Sequence, residues 1–145
     1  MTFPLTTESI KKNVESRSGV YQILWFKDNA PKQIGRLLHT DKRGIISIGS
    51  SLNLKRRLSQ FIRARGIGWG HSSGSRIYWY ELDDILGEMD LRFKVMYAND
   101  FTVKESKLLI GYTDKFGELP PMNHQDCKEI HFNFKPIPYP KGFEW

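Results

Sequence analysis

The sequence predicts an α+β domain, and three observations lead there. Three short segments, 20–26, 44–49 and 91–97, are rich in β-branched and aromatic residues or alternate apolar with polar, as strands do. Two longer segments, beginning near Leu54 and Thr102, repeat apolar residues at the spacing of a helix face. The 145 residues are enough to bury one core and too few for two.

Taken in order, Thr6 or Thr7 ahead of Glu8-Ser-Ile-Lys-Lys-Asn-Val caps a short helix whose Ile10 and Val14 share a face, and Gly19 follows its end. Val20 to Phe26 has the low polarity of a strand covered on both sides. Asp28-Asn-Ala-Pro31 reads as a turn. After a polar stretch from Lys32 to Arg43, Gly44-Ile-Ile-Ser-Ile-Gly49 forms a second short strand that stops at its glycine. Ser50, Ser51 and Asn53 are candidate N-caps for the next helix, where Leu54, Leu58, Phe61 and Ile62 make the inward stripe and Gly66 and Gly68 mark the end.

Ile67 to Ser75 is glycine-rich and reads as a loop with freedom to move, and Arg76 to Leu82 fits strand or helix equally. Leu91 to Tyr97 alternates as a half-buried strand, and Asn99-Asp100 turns the chain. Thr102-Val-Lys-Glu105 has capping-box spacing ahead of a helix carrying Leu108, Leu109, Tyr112 and Phe116 on one face. Gly117 sits where a C′ glycine belongs, and Pro120-Pro121 prevents continuation. The prolines between Phe134 and Lys141 rule out helix or sheet interior, so that segment is expected to run extended over the body or fray. The expected organisation is a helical extension over 1–17, a body over 18–123 and a proline- and aromatic-rich extension over 124–145.

Composition narrows function. No run approaches the roughly 18 apolar residues of a membrane helix, and the N-terminus lacks the pattern of a signal peptide. The expectation is an intracellular, cytoplasmic protein with no membrane partner. Cys127 is the only cysteine, which excludes an intrachain disulfide and a cysteine zinc site, so any metal is held by oxygen or histidine. A net charge of +6 suits a polyanionic partner. The charge is polarised. Lys55, Arg56, Arg57, Arg63 and Arg65 form a run without an acid, whereas Glu81, Asp83, Asp84, Glu88 and Asp90 form an acidic segment without a base.

Further residues stand in a telling order: Gly19-Val-Tyr21, Ser47-Ile-Gly49 followed by Ser-Ser-Leu-Asn-Leu-Lys-Arg-Arg-Leu, Gly70-His-Ser-Ser, a glutamate opening a helix, and Phe116-Gly-Glu-Leu-Pro-Pro-Met-Asn123. Over roughly Ser18 to Asn123 this set resembles the GIY-YIG nuclease family. The resemblance implies a small three-stranded antiparallel sheet flanked by helices and hydrolysis of nucleic-acid phosphodiesters with a divalent metal, Mg²⁺ or Mn²⁺. It implies roles as well. Tyr21 matches the first family tyrosine, Arg57 the phosphate-pairing arginine ten residues after Ser47, Glu105 the metal ligand, His71 a histidine found in part of the family, and Asn123 a supporting asparagine.

Each residue also has a plainer reading. Tyr21 suits a core aromatic, Arg57 a solvated helix arginine, Glu105 a capping-box member, His71 an idle loop histidine and Asn123 a turn residue. Arg56 lies beside Arg57, but the spacing selects Arg57. Ser47 occupies the second tyrosine position, and a serine hydroxyl cannot replace a phenolate base. His71 then takes the base role, or Tyr21 suffices with Ser47 lining the pocket, or the site has lost its chemistry. Lys55, Arg56, Arg63 and Arg65 are expected to track a nucleic-acid backbone, DNA rather than RNA. The competing functions are a nucleic-acid-binding module without cleavage and a protein-interaction domain using the acidic segment and the aromatic C-terminus.

Overall fold

A computed structural model describes residues 1–87 and 90–123, and the 124–145 extension and Glu88 lie outside them. The elements are β1 (Phe3–Pro4), α1 (Thr7–Asn13), β2 (Gly19–Lys27), β3 (Ala30–Pro31), β4 (Ile34–Gly35), β5 (Thr40–Asp41), β6 (Ile45–Ser51), α2 (Leu54–Ile67), α3 (Ser72–Trp79), α4 (Asp83–Leu86), β7 (Leu91–Tyr97) and α5 (Phe101–Phe116). The fold is α+β with an antiparallel sheet. β2 runs through the centre, paired antiparallel with β6 on one side and β7 on the other.

Two short strands widen the sheet beyond these three. β3 folds back on the end of β2 through Asp28 and Asn29, both at positive φ, which is the backbone of the tight hairpins that Asn and Asp tolerate. β1 pairs with β7, placing Phe3 opposite Phe93. The segment before residue 18 is therefore joined to the body: β1 extends the sheet, and Leu5, Ile10 and Val14 are buried in the main core. Two residues of strand are too short to carry a readable alternation.

Because β2 is central, its alternating side chains feed two cores. Tyr21 and Ile23 meet Leu54, Leu58, Phe61 and Ile77 on the face covered by α1, α2 and α3. Leu24 meets Ile45, Ile48, Leu109, Tyr112 and Phe116 on the face covered by α5. A bulge opposite Ile23 and Leu24 shifts the β6 register, so Ile45 and Ile48 point to the α5 side while Ile46 joins the other core. Burying such aliphatic and aromatic side chains stabilises the fold by roughly 1.5–3 kcal/mol each before the entropy cost is counted.

Helix boundaries differ from expectation in three places, each for a local reason. α2 continues through Gly66 and stops at Gly68, whose φ of 82° is the left-handed conformation of a helix stop. The segment read as a mobile loop contains the start of α3, with His71 as its N-cap and Gly74 buried. A Cβ on Gly74 would lie 2.5 Å from the Phe61 carbonyl oxygen, so this glycine permits close packing of α2 and α3 and does not mark a break. Thr102 lies within α5, not ahead of it. Asp100 is the cap residue and makes no side-chain cap bond, which removes the capping-box reading of Glu105.

Candidate functional site

The site grows from one register pair. Tyr21 on β2 stands opposite Gly49 on β6, and a Cβ at Gly49 would collide with the Tyr21 hydroxyl and ring. The missing side chain is what lets the phenol lie across β6 toward α2 and α3. Its hydroxyl ends 2.8 Å from His71 Nε2.

The proton on His71 can be placed. Its Nδ1 accepts the Gly74 N–H at 3.3 Å as the cap of α3, so Nδ1 is bare. A neutral imidazole then carries its hydrogen on Nε2, which donates to the Tyr21 oxygen. Burial, followed by the charge of Arg57, pushes His71 down to about 3, so the ring is neutral across the physiological range. His71 is 3% exposed, with its ring edge-on to Phe61 at 4.9 Å. These facts correct the expectation of a proton-accepting His71. With Nε2 donating and its basicity lowered, it positions Tyr21.

Arg57 reaches the same hydroxyl from the first turn of α2, where its charge and its hydrogen bond favour the phenolate. Burial outweighs both, and Tyr21 is pushed up to about 12. Glu105 lies near enough to oppose ionisation of Tyr21 by its charge. Its Oε2 accepts the Ser50 hydroxyl at 2.5 Å. Ser50 is not the cap of α2: Asn53 does that work, accepting the Arg56 N–H at 3.0 Å. The signal that could have identified Ser50 was parity: next to Gly49 on a strand, it must face the α5 side.

The other expected residues divide clearly. Asn123 lies against the outer edge of β6, where its Oδ1 accepts the Ile48 N–H at 2.9 Å and its Nδ2 donates to the Ile48 carbonyl at 2.8 Å. It works by hydrogen bonding, holding the strand next to Gly49. Ser47 lines no open pocket. It is fully buried, and its Oγ lies 2.9 Å from Ser73 Oγ on α3, which in turn donates to the Met122 carbonyl.

Lys55, Arg56 and Arg63 form no ion pair among the described residues, and Arg63 stacks over Trp69 at 4.9 Å. Arg65 departs from expectation. Its guanidinium is bound to Asp83 at 2.7 Å and to the Gly87 carbonyl at 3.1 Å with 10% exposure, so it fastens α2 to α4 and offers little to a phosphate. Asp83, part of the acidic segment, is occupied by the same bond.

Among the described residues no group of three or more His, Cys, Asp or Glu side chains gathers for a metal. The oxygen donors at the site are the Glu105 carboxylate and the Ser50 hydroxyl. One carboxylate beside a hydroxyl is a donor set of the kind that Mg²⁺ or Mn²⁺ takes together with several waters, and lacks the nitrogen and sulfur donors zinc favours.

Acid stability should report the state of His71. Its folded pKa is depressed below the unfolded value of 6.5, so its contribution is complete above pH 6.5 and declines as pH falls toward about 3. Between pH 7 and 4 this amounts to roughly 3 kcal/mol. His71→Asn retains a good N-cap and removes the titration, so urea melts of the variant should show a flatter pH dependence over that range. Equal pH dependence in both proteins would mean that His71 takes up its proton as readily in the fold as in the unfolded chain.

Among the described residues no helix is long and apolar enough to cross a membrane. No family model, curated protein or solved structure matches the chain.

Proposed function

We propose that this chain is a metal-dependent endonuclease of the GIY-YIG type, hydrolysing phosphodiester bonds in DNA. The observation that carries the reading is the meeting of Arg57 and His71 at the Tyr21 hydroxyl, from α2 and the cap of α3, with the charge of Glu105 on α5 acting on the same hydroxyl. In this reading Glu105 holds Mg²⁺ or Mn²⁺, steadied by Ser50; when bound, the metal neutralises phosphate charge and acidifies water. Arg57 pairs non-bridging phosphate oxygens with a fixed, permanently charged plane. Tyr21 has its oxygen engaged by the His71 N–H, which leaves its own hydrogen free to orient the attacking water, or once shed, to make it a proton acceptor.

The pH profile separates these two duties of Tyr21. As an acceptor it must first lose its proton, and a phenol pushed up to about 12 ionises tenfold more with each pH unit below that value. Cleavage should then rise steadily from pH 7 to 10 with no inflection near 6.5, since His71 titrates near 3. A sigmoid centred near 6.5 would contradict both assignments.

The first test is cleavage of supercoiled, linear, single-stranded and branched DNA with Mg²⁺ or Mn²⁺ and with EDTA. A second reading, a module on the same fold that binds without cutting, is favoured by Ser47, which is committed to Ser73 and leaves one tyrosine at the site. Salt-sensitive binding with no metal-dependent cleavage would select it.

Backbone contact has its own test. Lys55→Ala, Arg56→Ala and Arg63→Ala should each flatten the dependence of log K on log salt by about 0.9 on duplex DNA. Arg65→Ala should leave that slope unchanged and lower stability. An unchanged slope in the first three would remove them from the interface.

A further inference from the structure

The corner between α2 and α3 carries large aromatic side chains that neither core uses. Trp69 is 63% exposed, Tyr78 43% and Trp79 70%. They form one patch through Gly68. Its left-handed φ turns the chain out of α2 so that Trp69 follows at the surface, and the Trp79 Nε1–H donates to the Gly68 carbonyl at 2.7 Å. A Cβ on Gly68 would press on both Tyr78 and Trp79, and those two rings meet edge-on at 5.3 Å.

The rings are held in place. Trp79 is fixed by its hydrogen bond, and Trp69 by the Arg63 guanidinium lying 4.9 Å over its ring. Unpaired basic groups stand beside them. Arg63 and Arg56 share the outer face of α2, Arg76 stands one turn before Trp79 on α3, and none of these three pairs with a carboxylate among the described residues. Of the nearby acids, Asp83 is already bound to Arg65, and the exposed Glu81 follows Tyr80 with its N–H bonded to the Tyr78 carbonyl.

Flat, immobilised π-faces flanked by unpaired guanidinium groups match a ligand that has both planar faces and a phosphate backbone. In a duplex the base faces are stacked on one another and unavailable. We infer that the Trp69, Tyr78 and Trp79 corner is a stacking platform for unpaired nucleotides, so that the preferred ligand is DNA with a single-stranded segment next to the duplex. The inference rests on the nucleic-acid reading above and adds the class of substrate.

Trp69 gives the cleaner variant, because the ring contacts Arg63 and caps nothing, whereas Trp79 also supports the α2 turn. Anisotropy of a labelled dT15 strand, a 15-base-pair duplex and the same duplex with a dT10 tail, each with the full chain, provides the readout. Wild type should bind the tailed duplex more tightly than the blunt one. Trp69→Ala should weaken binding to dT15 and to the tail by about tenfold while leaving the blunt duplex within twofold, and Trp69→Phe should recover most of the loss.

Equal loss on all three ligands, or no loss on any, would overturn the platform while leaving the duplex-binding reading standing. No binding to any of the three would overturn both. Concentration-dependent self-association of the wild type that Trp69→Ala abolishes, with dT15 binding unchanged, would assign the patch to a second copy of the chain and also overturn the inference.

Discussion

Ser47→Tyr is expected to destabilise the fold by about 3 kcal/mol and to lower any cleavage activity, although it restores the residue that the family pattern places there. Ser47 has no exposed surface, and its hydroxyl is 2.9 Å from that of Ser73. A phenol at this position has to displace α3, and α3 carries His71 at its cap. The substitution therefore disturbs Tyr21 at second hand. Thermal and urea unfolding should show the midpoint fall, by roughly 10 °C for a domain of this size. Ser47→Ala and Ser73→Ala should each cost about 1 kcal/mol, and the double variant should cost less than their sum because one interaction is removed twice. A Ser47→Tyr protein with unchanged stability and greater activity would show that the space exists and that serine marks a weakened site.

Glu105→Ala should abolish metal-dependent cleavage, by about 10³-fold or more, with the fold intact. The carboxylate is half-buried and its hydrogen bond is to the Ser50 hydroxyl, so little of the core depends on it. Glu105→Gln sharpens the experiment, since the amide oxygen still accepts the Ser50 hydroxyl while the charge is gone. If the residue serves only as a hydrogen-bond acceptor, the glutamine variant stays active. If it serves as a cation ligand, both variants are inactive and the glutamine variant keeps its melting temperature. Ser50→Ala should retain cleavage but need about 10- to 100-fold more metal, because the hydroxyl orients the carboxylate without supplying its charge. Metal titrations of cleavage in the three variants, beside their circular dichroism, separate these cases.

What the sequence made legible follows from which signals are local. β2 and β7 announce themselves because apolar density or strict alternation is a property of neighbouring residues, and burial follows it: Leu91 and Phe93 are inside while Lys94 and Met96 are outside. The stripe of Leu54, Leu58 and Phe61 was legible for the same reason. Gly74 was not, because a glycine that breaks a helix and one that admits a neighbouring helix look identical until the neighbour is known. Thr102 and Glu105 have capping-box spacing, yet Asp100 begins the helix sooner. In the basic run, Arg63 and Arg65 are equivalent letters; only the position of Asp83 separates a stacked, outward guanidinium from one fastened to α4. At the site, the order of Tyr21, Arg57 and Glu105 along the chain singles them out, and the charges of Arg57 and Glu105 both act on the Tyr21 hydroxyl, but the direction of the proton between Tyr21 and His71 depends on the cap of α3, which no spacing encodes.

The two hydrogen bonds from Asn123 to Ile48 span 75 residues of sequence. Strand β6 and its partner β2 can meet early, since a short connection separates them, but the outer side of β6 stays without this partner until nearly all of the described chain has been made and α5 has docked. During synthesis the Gly49 and Tyr21 pair thus exists before the bond that steadies it. A nascent chain released short of residue 123 would hold the right side chains around an unfinished strand, so competence should arrive late and all at once, coupled to closure of a loop of 75 residues.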